Sequence, residues 1–172
     1  MAKEKILIVD DSATKRAIYK DVLVKEGYTI IEAADGEEGF KRTRTEFPDL
    51  IIADLAMPKM DGFKMIEMVK RDEHAKYVPI ICISATYKDI ASKLKVLCDA
   101  GAEEYFYMPE NIDDLKAKVQ VMLRVRKLYT DLIEKNKQLK IFNDAAVDRE
   151  LKMVDLKKKI KVLEEELAKY KK

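Results

Sequence analysis

Asp10, Asp11, Asp54 and Ser84 each stand where a short apolar run ends. Asp10-Asp11 follow Lys5-Ile6-Leu7-Ile8-Val9, Asp54 follows Leu50-Ile51-Ile52-Ala53, and Ser84 closes Pro79-Ile80-Ile81-Cys82-Ile83. Runs of this kind read as strands buried on both faces, the pattern of a parallel sheet covered by helices. In an open α/β sheet, ligands and chemistry collect at the carboxyl edge of the strands. With the first and third strands adjacent at the switch point, three carboxylates converge there. Like charges at that range repel and raise one another's pKa, so the cluster calls for a counter-charge. Mg²⁺ suits it, because this hard cation takes one or two carboxylates, some waters and a phosphate oxygen. The chemistry that follows is phosphoryl transfer. Asp54 would be the nucleophile and form an acyl phosphate. Asp10 and Asp11 would hold the metal, and Ser84 would hydrogen-bond a phosphoryl oxygen. The competing reading of Asp10-Asp11 is a helix N-terminal charge pair, worth about 0.3–1 kcal/mol. For Asp54 alone it is a surface-loop carboxylate.

The elements that must position these residues follow from capping and turn signals. Ser12 caps a helix that runs to about Lys25-Glu26 and stops at Gly27, with Ala17, Ile18, Val22 and Leu23 as its apolar face. A second strand covers 28–33, and Asp35-Gly36-Glu37-Glu38 turns into a helix ended by Pro48. After the third strand, Asp61-Gly62 opens a helix with Met65, Ile66 and Val69 facing inward. A helix at 88–100 stops at Gly101. A fifth strand at 104–107 stops before Pro109. Five β-α repeats with short loops predict a flavodoxin-like, doubly wound, five-stranded parallel sheet with helices on both faces.

Composition bounds the alternatives. The 172 residues are 48% hydrophobic and 38% charged. Residues 1–123 carry 19 Lys/Arg against 23 Asp/Glu, and residues 124–172 carry 15 against 9, so a net −4 segment precedes a net +6 segment. That contrast predicts two modules, 1–123 and 124–172. Cys82 and Cys98 have no CxxC spacing and read as reduced thiols, not a disulfide or metal site. No stretch has the length of a membrane span and no signal-peptide core follows Met1, so the expectation is a cytoplasmic protein. His74 is the single histidine, in a polar stretch, which sets hydrolase triads aside. A Mg²⁺-dependent phosphatase would need an acid two residues after its nucleophile, and that position is Ala56.

Residues 1 to about 123 resemble a response-regulator receiver domain of two-component signalling. The resemblance rests on Ile8-Val9-Asp10-Asp11-Ser12, on Asp54 followed by Met57-Pro58-Lys59-Met60-Asp61-Gly62, on Ser84-Ala85, on Gly101-Ala102 and on Tyr105 before Pro109. It implies that Asp54 accepts phosphate from a histidine kinase or phosphotransfer protein. It implies Mg²⁺ held by Asp10, Asp11, Asp54 and the backbone carbonyl of Ala56, and a switch pair formed by Ser84 and Tyr105. Such a domain is a phosphoacceptor, not an enzyme beyond its own phosphoryl transfer and dephosphorylation. One position departs from the family: Met108 stands where a lysine is expected. A lost donor to a transferring oxyanion costs ~10²–10³ in rate in other enzymes. Two readings stay open. Asp54 is phosphorylated more slowly, with Lys59 or Lys88 as partial substitutes, or the domain is a degenerate receiver acting as a dimeric protein-interaction scaffold.

Beyond Arg124 the apolar residues repeat every seven. Val125, Leu132, Leu139, Ala146, Met153, Ile160 and Leu167 form one series; Leu128, Lys135, Phe142, Arg149, Leu156, Leu163 and Tyr170 form the other. These are a and d positions of a coiled coil. No Gly or Pro occurs from Glu110 onward, so the last receiver helix and the coil read as one. In a parallel pair Lys159 would meet Glu164 and Glu166 would meet Lys171, whereas Lys152 would meet Lys157, a balance that favours a parallel homodimer. The +6 charge is interspersed with acids, and no nucleic-acid motif accompanies it. Residues 143–153 also resemble connector helices between bacterial signalling modules, which leaves a partner or a further downstream domain as the output.

Overall fold

The structure, a computed structural model, describes residues 3–85, 90–107 and 112–170. Five parallel strands, β1 (Lys5–Val9), β2 (Thr29–Ala33), β3 (Leu50–Asp54), β4 (Ile80–Ser84) and β5 (Glu104–Tyr107), lie in the order β2-β1-β3-β4-β5. Strands β1 and β3 are neighbours, with Val9 level with Ala53. The chain reverses its winding at this pair, as the sequence predicts.

The alternation along the strands feeds two cores. Ile6, Ile8, Leu50, Ile52, Ile81, Ile83 and Phe106 face one side, where Tyr19 and Leu23 of α1 (Ala13–Lys25) and Leu115 and Val119 of α5 (Ile112–Tyr170) close over them. Leu7, Val9, Ile51, Ala53, Ile80 and Cys82 face the other, beneath Met65, Ile66 and Val69 of α3 (Gly62–Arg71). Burying such aliphatic side chains is worth about 1.5–3 kcal/mol each, and the two fully buried strands, β3 and β4, carry no polar residue before their last one.

Caps set the helix starts that matter for the site. Ser12 Oγ accepts the Lys15 N–H at the head of α1. Asp35 Oδ1 accepts the Glu38 N–H at 2.9 Å to start α2 (Gly36–Glu46), and Glu38 reaches back to the Ala34 N–H. Asp61 Oδ1 accepts the Lys64 N–H at 2.8 Å to start α3. Helix α4 (Ile90–Leu94) passes into a π-helical turn over Lys95–Ala100, which ends at Gly101 with φ 87°.

Helix α1 departs from the expected apolar face. Ala17 and Ile18 are exposed, and the two buried residues are Tyr19 and Leu23. The inward stripe steps by four, through Lys15, Tyr19 and Leu23, because residues i and i+4 share a helix face. An aliphatic count favours Ile18; the sheet instead takes the longer Tyr19 ring.

By contact, the chain divides into Met1–Tyr129 and Thr130–Lys172. The second unit is wholly helical where described, and its apolar residues are exposed, among them Leu132, Leu139, Phe142, Met153, Leu156, Ile160 and Leu163. Among the described residues no helix is long and apolar enough to cross a membrane.

Candidate phosphoacceptor site

Asp10 and Asp54 reach the same edge because β1 and β3 pair in register and each strand ends one residue later in an acid. Oxygens of Asp10, Asp11 and Asp54 all lie within 4.8 Å of one another. Asp10 and Asp54 are buried and Asp11 is exposed, so the cluster opens to solvent on the Asp11 side. Local backbone donors fix the two buried carboxylates. Asp10 Oδ1 accepts the Ser12 N–H at 2.8 Å, and Asp54 Oδ1 accepts the Ala56 N–H at 3.1 Å. One oxygen of each is thereby engaged at the backbone.

The loop after β3 is shaped around Asp54. Lys59 adopts a positive φ of 63°, and the Gly62 N–H donates to Leu55 O at 3.0 Å. Gly62 passes so close that a Cβ there would lie 2.3 Å from the Asp54 backbone oxygen. This close approach is the physical reason for glycine in Met60-Asp61-Gly62, since any side chain would push the β3 edge away.

A residue that sequence reasoning missed sits at the centre. Lys15 Nζ lies 2.6 Å from Asp54 Oδ2 and 3.4 Å from Asp10 Oδ2. Burial works against the ammonium, but the hydrogen bond and charge of Asp54, then those of Asp10, outweigh it and raise Lys15 to about 12. Burial foremost pushes Asp10 up, aided by the charge of Asp54 and opposed by the Ser12 N–H and Lys15. The signal that would have found Lys15 is the i, i+4 stripe that includes Tyr19. Tyr19 itself is pushed up to about 12 by burial and then by the Asp10 charge, and its Oη is buried without a hydrogen-bond partner among the described residues.

Among the described residues, Lys59 and Arg16 are engaged by groups other than the three carboxylates of the cluster. Lys59, expected as a partial substitute for the missing lysine, pairs with Asp35 and not with the acid cluster. Arg16 Nη1 donates to the Asp10 backbone oxygen at 2.7 Å, and Arg16 Nε lies 3.4 Å from Glu32. Met108 and Lys88 lie outside the described residues. Ser84 is fully buried at the end of β4, level with Tyr107 of β5. Tyr105 is level with Cys82, two residues short of Ser84, and belongs to the same buried cluster as Cys82 and Val96. Ala56 is exposed beside Asp54.

The donor set is all oxygen, with two carboxylates held by backbone N–H groups and a third facing solvent. That chemistry fits Mg²⁺, which favours carboxylates and retained waters over imidazole or thiolate. Cys82 and Cys98 take no part, being buried in the core and exposed on the far helix, respectively.

The chain's relatives agree with this fold. Residues 6–120 match the response regulator receiver domain family, and the chain belongs to it. It is 38% identical over 122 residues to "Probable transcriptional regulator ycf27" of Guillardia theta, covering 71% of this chain and 46% of that protein. It is 32% identical to the alkaline phosphatase synthesis transcriptional regulatory protein PhoP of Bacillus subtilis, covering 70% and 49%. The chain thus spans about half the length of the curated relatives it matches. Among solved structures it resembles a CheY-like receiver domain protein of Methanospirillum hungatei, with TM-score 0.68, 27% identity and coverage of 74% and 99%. It also resembles the chemotaxis protein CheY4 of Vibrio cholerae, with TM-score 0.64, 29% identity and coverage of 70% and 99%. The fold is therefore a receiver domain of two-component signalling, a signalling class and typically not an enzyme.

Proposed function

We propose that this receiver accepts a phosphoryl group on Asp54 from a histidine kinase or phosphotransfer protein and passes the signal through its C-terminal helix. The observation that carries the reading is the convergence of Asp10, Asp11 and Asp54 oxygens within 4.8 Å at one sheet edge. In the transfer, an Asp54 oxygen forms a P–O bond as the P–N bond to the donor imidazole breaks. The imidazole leaves with the electron pair and takes its proton from solvent. Mg²⁺, held by Asp10, Asp11, Asp54 and the Ala56 carbonyl, would neutralise charge on the transferring group. Asp10 is fixed by the Ser12 N–H, so it needs little rearrangement to serve as a ligand. Ser84 would hydrogen-bond a phosphoryl oxygen, and Tyr105 would report its engagement toward β5 and α5.

Residues 124–172 would form a parallel two-stranded coiled coil. Support comes from the heptad series and from the exposure of Leu132, Leu139, Phe142, Leu156 and Leu163 in the single chain. The output we propose is protein contact, in the cytoplasm, without nucleic acid. The basic segment 124–172 alternates its charges with acids, which is a poor phosphate footprint.

A beryllofluoride complex tests the site: with Mg²⁺ it should shift amide NMR resonances around Asp54, Ser84 and Tyr105, and Asp54→Asn should show no shift. Met108 favours a second reading, a degenerate receiver that docks partners without phosphate. If Met108→Lys alone converts an unresponsive protein into a responsive one, that second reading is correct for the natural chain.

A further inference from the structure

The acid cluster carries three carboxylates and, among the described residues, one side-chain cation, Lys15. Arg16 is held at Glu32 and at the Asp10 backbone oxygen, and Lys59 at Asp35. The placement of Lys15 is built into α1. It occupies the first turn, one turn before Tyr19 on the stripe that faces the sheet, so the packing of Tyr19 and Leu23 aims it at the strand edge. Its stem is half-exposed while its ammonium touches both buried acids. It is thus anchored at the backbone and, among the described residues, held at the head by the two acids alone.

We propose that Lys15 is the phosphoryl-binding cation of this pocket, resting on Asp54 before transfer and on the phosphoryl oxygens after it. The proposal rests on the phosphoacceptor reading above. Charge supplies the driving force. Transfer replaces one negative charge on Asp54 by about two, spread over three acceptor oxygens. An ammonium on a four-carbon stem can follow that charge, being a compact cation with three rotatable donors. A second consequence separates this role from simple structural support. In the resting protein Lys15 holds oxygens of Asp10 and Asp54 that a divalent cation also needs, so lysine and metal compete. Removing the lysine must therefore strengthen metal binding while it weakens phosphoryl binding. A residue that merely braced the pocket would weaken both.

The experiment uses the full chain as wild type, Lys15→Met and Lys15→Arg, with Lys15→Gln in reserve should the methionine variant fail to fold by circular dichroism. Mg²⁺ affinity is read by amide NMR titration, and modification of Asp54 by intact mass during incubation with acetyl phosphate. We expect Lys15→Met to bind Mg²⁺ several-fold more tightly and to acquire phosphate at least about 10-fold more slowly, as loss of a charged donor implies, with Lys15→Arg recovering part of the rate. Unchanged or weaker Mg²⁺ binding by Lys15→Met overturns the proposal, as does an unchanged labelling rate of Lys15→Met where the wild type is labelled. No labelling of the wild type at all overturns the phosphoacceptor reading, and this assignment with it.

Discussion

A methyl group added at Gly62 would lie 2.3 Å from the backbone oxygen of Asp54 and 2.8 Å from Leu55 Cα, neither of which can move without moving the end of β3. Gly62→Ala should therefore cost about 1–3 kcal/mol of stability, in the range of overpacking, and should show as a lower thermal midpoint. Asp35 offers a pH test. The Glu38 backbone N–H, then Lys59, holds its carboxyl below the ordinary 3.8. The fold thus favours the charged form, so its contribution is present above 3.8 and is lost as pH falls through the lower folded value. The gap in melting temperature between wild type and Asp35→Ala should be full near neutral pH and should narrow below 3.8, by circular dichroism. At this scale Asp10 and Asp54 were readable from sequence, because each directly follows a buried apolar run, and Asp11 stands next to Asp10, so strand pairing alone brings the three together. Lys15 was not. A lysine on a surface helix carries no local mark of what its head will touch, and the stripe that aims it is visible only once Tyr19 is known to be inside.

Helix α1 shows how an element can be found and yet rotated. Its cap, start and stop followed from Ser12 and Gly27, but its buried face followed only in part: Leu23 is buried as expected, while Ile18 is exposed and Tyr19 is buried in its place. The inward face predicts two contrasting outcomes. Leu23→Ala should cost about 2–5 kcal/mol, because it opens a cavity between α1 and the sheet. Tyr19→Phe removes a hydroxyl that has no hydrogen-bond partner among the described residues. That change should be neutral or stabilising, because losing an unsatisfied buried group relieves a desolvation cost of about 1–3 kcal/mol. Paired chemical denaturation curves check both. The strands were easier to read than the helix. Full burial leaves only apolar residues on both faces, whereas a helix beside a twisted sheet chooses one stripe among several plausible ones.

For the whole molecule, the heptads beyond Arg124 leave a row of large apolar side chains exposed in a single chain, including Leu139 and Phe142. A parallel pair would cover them. Sedimentation velocity should give a dimer for the full chain and a monomer for the double variant Leu139→Asp, Phe142→Asp, with the receiver still folded; a monomeric wild type would remove the coil from the account. In the proposed function, signalling through that coil would depend on chemistry in the receiver. The central claim is that Asp54 is the phosphoryl acceptor, and it is tested most directly by intact mass after incubation with Mg²⁺ and acetyl phosphate. The account predicts one added phosphoryl group on the wild type, labile to hydroxylamine as an acyl phosphate should be, and none on Asp54→Asn. Equal labelling of both proteins, or none on either at millimolar donor, would contradict it.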